Sequence, residues 1–196
     1  MSFLIEILII VGIYLFGGIS LGYYAVRHRL SQDIRNLGSG SVGARNVGRF
    51  LGWRWMLAVF LADFCKGALV VGLTNILDTS PILTQLAMVA VVIGHIWPVQ
   101  LSFRGGRGIA TTIGAMMAFD YLIVVVVIAI TALIYLTTRK FTIGGLLAVS
   151  FSPLIALLLQ NSTANIIVLA ILVCILLFTH RRYIYHFVRG YQKVDV

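Results

Sequence analysis

The chain has 196 residues, of which 60% are hydrophobic and 11% charged, with a formal net charge of +9. Average soluble domains carry about a quarter charged residues, and a chain this short has too little interior to hide so much apolar surface. A soluble globular domain is thereby excluded. Nucleic-acid binding is excluded too, because the basic residues are scattered over short stretches between apolar runs, as cytoplasmic loops of membrane proteins are.

In chain order, the first apolar run covers residues 4–26, interrupted only by Glu6. It lacks a basic start and a small-residue cleavage site, and so reads as a retained span rather than a signal peptide. Residues 55–77 form a second run with Asp63 and Lys66 inside it, and residues 82–103 a third without charge. Residues 109–138 carry only Asp120, and residues 142–179 are split by the polar patch Gln160-Asn161-Ser162-Thr163-Ala164-Asn165. That last run is too long for one span, so the patch marks a loop.

The run 109–138 decides the topology. As one tilted span it puts Arg139 and Lys140 opposite Arg104 and Arg107; as two short helices turning near Phe119-Asp120 it puts all four on one side. The second choice gives seven transmembrane segments, N-terminus outside and C-terminus cytoplasmic, with every Lys and Arg except Lys66 inside and Glu6, Asp78 and Asp120 outside. The expectation is one all-α polytopic membrane domain over residues 1–196.

Two stretches carry chemistry. The first contains Gly38-Ser39-Gly40-Ser41-Val42-Gly43-Ala44-Arg45-Asn46-Val47-Gly48-Arg49. Glycines permit left-handed backbone that gathers N–H groups into an anion nest. Ser39, Ser41 and Asn46 add neutral donors, and Arg45 and Arg49 fixed charge. It is not a P-loop, since GxxxxGK[ST] is absent. The second, Gly94-His95 through Gly105-Gly106-Arg107-Gly108 and on to Thr111-Thr112, runs into a helix start, where free N–H groups and the helix dipole favour anions. A lone His95 is more often structural. Asp63 and Lys66 lie three apart and share a helix face; charges at such depth are functional by default. His180 follows the last span. Cys65 and Cys174 sit in apolar runs without metal or disulfide spacing, and nothing calls for a metal, redox or organic cofactor.

Together these segments resemble the bacterial acyl-phosphate:glycerol-3-phosphate acyltransferases, in order and spacing over nearly the whole chain. The motifs are the Gly38 to Arg49 loop, Asp63-Phe64-Cys65-Lys66-Gly67, the Gly94-His95 to Thr111 loop, and His180. The resemblance implies seven helices in the bacterial inner (cytoplasmic) membrane and an active site facing the cytoplasm. It also implies acyl transfer from acyl phosphate to glycerol 3-phosphate, giving lysophosphatidic acid and phosphate without a cofactor. Membrane lipids and an acyl-phosphate-producing enzyme would be its partners. It implies Ser39, Arg49 and His180 as catalytic, and Gly38, Gly40, Ser41, Gly43, Arg45, Asn46, Lys66, His95, Gly105, Gly106, Arg107, Gly108 and Thr111 as substrate-binding. The chain departs from the family pattern at Ser41, Arg45, Arg107 and Tyr183, where the family has Asn, Thr, Lys and Asn. The base is His180 or a substrate phosphate oxygen.

Other readings stay open at this point. A family paralogue could take a different polar acceptor. His28 and Asp33 fit the H-x4-D pattern of acyl-CoA-dependent acyltransferases. A non-enzymatic lipid- or phosphate-binding protein or a transporter would also explain the basic loops, although no internal repeat supports alternating access.

Overall fold

The computed structural model describes residues 3–189, all of whose regular elements are helical. The first apolar run is a pair, α1 (Phe3–Gly17) and α2 (Leu21–Leu30), which together make a 28-residue apolar segment. The run still counts as one span, as the sequence indicates, with a local opening inside it. The helix opens at residues 18–20, where Ser20 restarts it by accepting from the Tyr23 amide at 3.2 Å.

A short helix, α3 (Ala44–Leu51), precedes α4 (Trp53–Ile76), and Gly52 at φ 85° makes the corner between them. Next come α5 (Pro81–Ile96), α6 (Ile109–Phe119) and α7 (Tyr121–Thr138). The break at Asp120 is the one expected from the sequence: its carboxylate accepts from the Leu122 amide at 3.0 Å and starts α7. The run 142–179 divides into α8 (Phe141–Ser150), α9 (Ser152–Leu158) and α10 (Thr163–Thr179). α8 and α9 meet at 42°, and α11 (Arg181–Val188) bends 65° from α10.

Four of these segments are long and apolar enough to cross a bilayer alone, two bent pairs are further candidates, and α6 is a shorter apolar helix. Phe3, Leu8, Leu69, Leu73, Leu133 and Leu136 stand on the outside, more than half exposed. Such a surface suits hydrocarbon, not water.

Small residues set the packing. A Cβ on Gly67 of α4 would strike the Thr111 carbonyl of α6, and one on Gly114 of α6 would strike the Phe64 carbonyl of α4. α1 and α5 repeat the arrangement, Gly17 against the Val91 carbonyl and Gly94 against that of Tyr14. Lipid tails are as apolar as leucine, so close backbone approach is the main source of helix–helix attraction in a membrane. Gly67→Ala is therefore expected to cost about 1–3 kcal/mol by overpacking, read as a lower Tm in detergent; an unchanged Tm would show that the seam relaxes freely.

A second, smaller apolar cluster lies beneath the loops at one end, formed by Val26, Ile34, Val42, Val47, Val59 and Leu101. Val42 and Val47 are 1% and 0% exposed, which pins the glycine-rich stretch to the helix ends beneath it.

Candidate active site

The first stretch is half turn and half helix. Only Gly38 (φ 53°) and Gly40 (φ 70°) among its glycines take the left-handed conformation; Gly43 precedes α3 and Gly48 lies within it. A four-glycine nest is thus corrected to a two-glycine turn followed by a helix that carries Arg45, Asn46 and Arg49. Asn46 is 2% exposed: its oxygen accepts from the Ser39 amide at 3.0 Å, and its NH2 donates to the carbonyls of Leu37 (3.0 Å) and Ser41 (2.9 Å). With both protons engaged, Asn46 shapes the turn rather than contacting a ligand. Ser41 accepts from the Gly43 amide at 3.2 Å. The Ser39 hydroxyl makes no hydrogen bond among the described residues.

The second stretch leaves α5 at Trp97, makes a 3-10 turn over Val99–Leu101, and reverses through Ser102 and Phe103, both left-handed at φ 53° and 60°. It then folds back along its own helix end: Gly105 donates to the Ile96 carbonyl at 3.1 Å, and Gly106 to that of His95 at 3.0 Å. A Cβ on Gly106 would fall on the His95 ring, which requires glycine there.

His95 is held from below. Its Nδ1 lies 2.8 Å from Lys66 Nζ and 3.4 Å from Asp63 Oδ1, and Lys66 also bonds Asp63 Oδ1 at 2.8 Å and the Ile19 carbonyl at 3.2 Å. An ammonium has three protons and no lone pair, so all three are engaged, and the shorter contact makes His95 Nδ1 an acceptor with its proton on Nε2. Lys66 and His95, expected to bind substrate, instead form with Asp63 a buried triad that carries the glycine turn. Thr111 is 0% exposed, with its carbonyl against Gly67 and its hydroxyl unpartnered among the described residues.

Three links join the two stretches. Arg35 donates to the Leu101 carbonyl at 2.6 Å, Arg104 to the Arg35 carbonyl at 3.2 Å, and the Val42 amide to the Gly105 carbonyl at 3.4 Å. Asp33 orients Arg35, engaging it through both carboxylate oxygens at 2.6–3.0 Å. That pairing commits the acid of the H-x4-D match, leaving His28 without the carboxylate a catalytic dyad needs. Nothing in the sequence marked Arg35 or Arg104, since their partners are backbone carbonyls distant in the chain.

Electrostatics places Arg107 within the field of the first stretch. Burial, then the charges of Arg49 and Arg45, hold its guanidinium below its usual range, and Tyr183 partly offsets them. Its side chain makes no hydrogen bond among the described residues. A half-buried arginine beside two others strongly favours an arriving anion.

His180 ends α10, 2% exposed. Its Nδ1 lies 2.9 Å from the Leu176 carbonyl and 3.1 Å from Thr179 Oγ1, and Thr179 donates in turn to the Arg107 carbonyl at 3.1 Å. A carbonyl can only accept, so the proton is on Nδ1 and Nε2 keeps its lone pair. Burial pushes the imidazole down to about 4, against the Leu176 bond, with Arg107 adding to the shift. It is neutral at pH 7, as a base must be.

One contact was invisible in the sequence. Arg45 Nη1 donates to Thr142 Oγ1 at 2.5 Å, bridging α3 to the start of α8 across 97 positions. The same turn between α7 and α8 reaches α11, where Lys140 Nζ sits 4.6 Å from the centre of the Phe187 ring.

Residues 7–190 match the family model described as glycerol-3-phosphate acyltransferase. A glycerol-3-phosphate acyltransferase 1 of Bacillus cereus is 39% identical over 176 residues, covering 90% of this chain and 95% of that protein. The glycerol-3-phosphate acyltransferase of Clostridioides difficile (strain 630) is 34% identical over 193 residues, covering 95% and 94%. Among solved structures, that of PlsY (YgiH), an integral membrane glycerol 3-phosphate acyltransferase in its glycerol 3-phosphate form, superposes with a TM-score of 0.87 at 26% identity, covering 94% of this chain and 92% of that one.

Proposed function

The chain belongs to the glycerol-3-phosphate acyltransferase family, and from that premise we propose how its residues divide the work. It is an integral membrane acyltransferase that acylates glycerol 3-phosphate to lysophosphatidic acid. The donor in this reading is an acyl phosphate. The observation that carries it is the joining of the two arginine-bearing stretches, the Val42 amide to the Gly105 carbonyl at 3.4 Å and Arg35 to the Leu101 carbonyl at 2.6 Å, beside the helix end where Thr179, next to His180, donates to the Arg107 carbonyl at 3.1 Å. Two phosphorylated reactants bring the negative charge that the arginines of the two stretches attract.

The reaction follows from the parts. Glycerol 3-phosphate lodges its phosphate against Arg49, Arg107 and the Ser39 turn. Its hydroxyl oxygen attacks the acyl carbonyl carbon, forming the ester as the bond from that carbon to the phosphate oxygen breaks. The hydroxyl proton passes to Nε2 of His180 and then to the departing phosphate. An acyl phosphate is already an activated anhydride, so holding the reactants and stabilising the developing oxyanion provides much of the rate, and no covalent enzyme intermediate is required.

The arginine-bearing end faces the cytoplasm of a bacterial inner membrane in this reading, with seven segments and the N-terminus outside. The separation of the basic ends from Glu6, Asp78 and Asp120 supports this orientation. An enzyme that makes acyl phosphate is the expected partner, and membrane lipids surround the apolar flanks.

Purified protein given palmitoyl phosphate is expected to release inorganic phosphate only when glycerol 3-phosphate is added. Acylation of glycerol 3-phosphate from acyl-CoA with release of free CoA, or no turnover with either donor, would overturn the donor assignment.

A further inference from the structure

A cavity of about 250 Å³ lies where α4 and α6 end and α5 and α10 begin, with Asn75, Asp78, Thr79, Thr84, Phe119 and Asn165 in its wall. The glycine-rich stretches and His180 are at the opposite ends of the same helices, so acyl transfer makes no use of it. We propose that this cavity binds a primary ammonium group, the headgroup of an amine-bearing phospholipid.

The wall has committed its hydroxyl protons and kept its acceptors. Thr74 donates to the Val71 carbonyl at 2.8 Å and Thr79 to the Thr74 carbonyl at 3.1 Å. Thr84 Oγ1 lies 3.3 Å from that of Thr79, whose proton is already given, so Thr84 is the donor there. Asn75 donates from Nδ2 to the Ala118 carbonyl at 2.8 Å, which turns its Oδ1 free to accept. Asn165 is fixed by neighbours, donating to Asn161 at 3.0 Å and accepting from Gln85 at 2.8 Å. The Asp78 carboxylate makes no hydrogen bond or ion pair among the described residues.

No lysine or arginine occurs between Lys66 and Arg104, between Arg107 and Arg139, or between Lys140 and Arg181. The four helices around the cavity therefore bring no cation to Asp78. A primary ammonium supplies that charge with three N–H donors. A quaternary ammonium has none and is recognised by aromatic cages, whereas the aromatic ring here is that of Phe119 alone. Calcium takes six to eight oxygens, more than one carboxylate and one free amide oxygen provide.

The rim identifies the carrier of the amine. Ile76 and Leu77, just before Asp78, are 79% and 71% exposed, and Ile82, just after Pro81, is 67% exposed. Such side chains belong against hydrocarbon, so the cavity opens at the lipid boundary. A phospholipid lays its chains along them and reaches in with its headgroup, while its phosphate, offered no cation here, stays in the water layer.

The test titrates delipidated protein in detergent with phospholipids of identical chains, bound lipid being read by native mass spectrometry. Phosphatidylethanolamine is expected to bind about tenfold more tightly than phosphatidylcholine, as one charge-assisted hydrogen bond allows, with N-methylated intermediates falling between. Asp78→Asn should bring the two lipids level. Asp78 sits at φ 47°, a conformation asparagine also adopts readily, so this variant removes the charge and keeps the turn. Equal binding of the two lipids to the wild type, or a preference that survives in Asp78→Asn, overturns the inference. Free ethanolamine displacing the lipid at equal concentration overturns the lipid as the occupant.

Discussion

His180→Ala lowers kcat by about 10²–10⁴-fold, the range that a positioned general base contributes, a loss larger than the stability cost of removing a buried, hydrogen-bonded side chain explains. The expectation rests on the tautomer. The Leu176 carbonyl fixes the proton on Nδ1 and leaves Nε2 to accept one. The pH dependence gives a sharper check than the rate alone. Because burial and Arg107 hold the imidazole at about 4, it remains unprotonated well below the ordinary histidine value. Protonation of the substrate phosphates affects wild type and variant alike and divides out of their rate ratio. That ratio is expected to stay flat from pH 7 to about 5 and to collapse only as the pH falls through the folded value. A ratio that halves near pH 6.5, or a variant with normal turnover, removes the histidine from the chemistry and leaves a substrate phosphate oxygen as the base.

Asp63→Ala has the largest expected effect on stability, about 3–5 kcal/mol, because it leaves a buried ammonium without its counter-ion. Asp63 and Lys66 are 4% and 6% exposed. The damage should not stop at the pair. Lys66 also orients His95, whose ring lies against Gly106, so the turn bearing Arg107 loses its support. Thermal unfolding in detergent should show a large drop in Tm, and whatever folded protein remains should have a raised KM for glycerol 3-phosphate. A variant with wild-type Tm would show that the triad contributes little to the bundle. Wild-type KM at reduced Tm would separate the triad from the site.

The features legible in the sequence are those with a local physical cause. Asp120 stands out as a polar interruption of an apolar run, and it starts a helix by capping it. The patch from Gln160 to Asn165 reads as a loop because a bilayer core does not tolerate six polar or small residues in succession without partners, yet only its first half is one: Ser162 caps α10, whose first turn takes Thr163 to Asn165. The glycine-rich stretches stood out through glycines interleaved with arginines and hydroxyls, and both make turns at helix ends.

What the sequence concealed is how each polar side chain uses its hydrogen bonds. Lys66 and Asn46 carry donors suited to a ligand, and only the folded chain shows those donors committed to Ile19, His95 and Asp63 in one case and to Leu37 and Ser41 in the other. The helix α3 was hidden by its glycines, Gly43 and Gly48, which favour turns until packing overrides them. The Arg45–Thr142 bridge and the Arg35–Leu101 clamp join residues too far apart in the chain for any spacing rule to connect. Tyr183 stood out only as a departure from a pattern, yet its phenol lies near enough to Arg107 to affect the guanidinium.

The gap between α1 and α2 bears on how the protein enters its membrane. Opening the helix at residues 18–20 exposes the Ile19 carbonyl, and its partner is an ammonium on α4, a helix the ribosome has not yet made when the first segment emerges. Hydrocarbon offers that oxygen nothing in exchange for water. The expected consequence is that the N-terminal segment settles paired with α4, with Lys66 held inside the bilayer by this acceptor as well as by its aspartate.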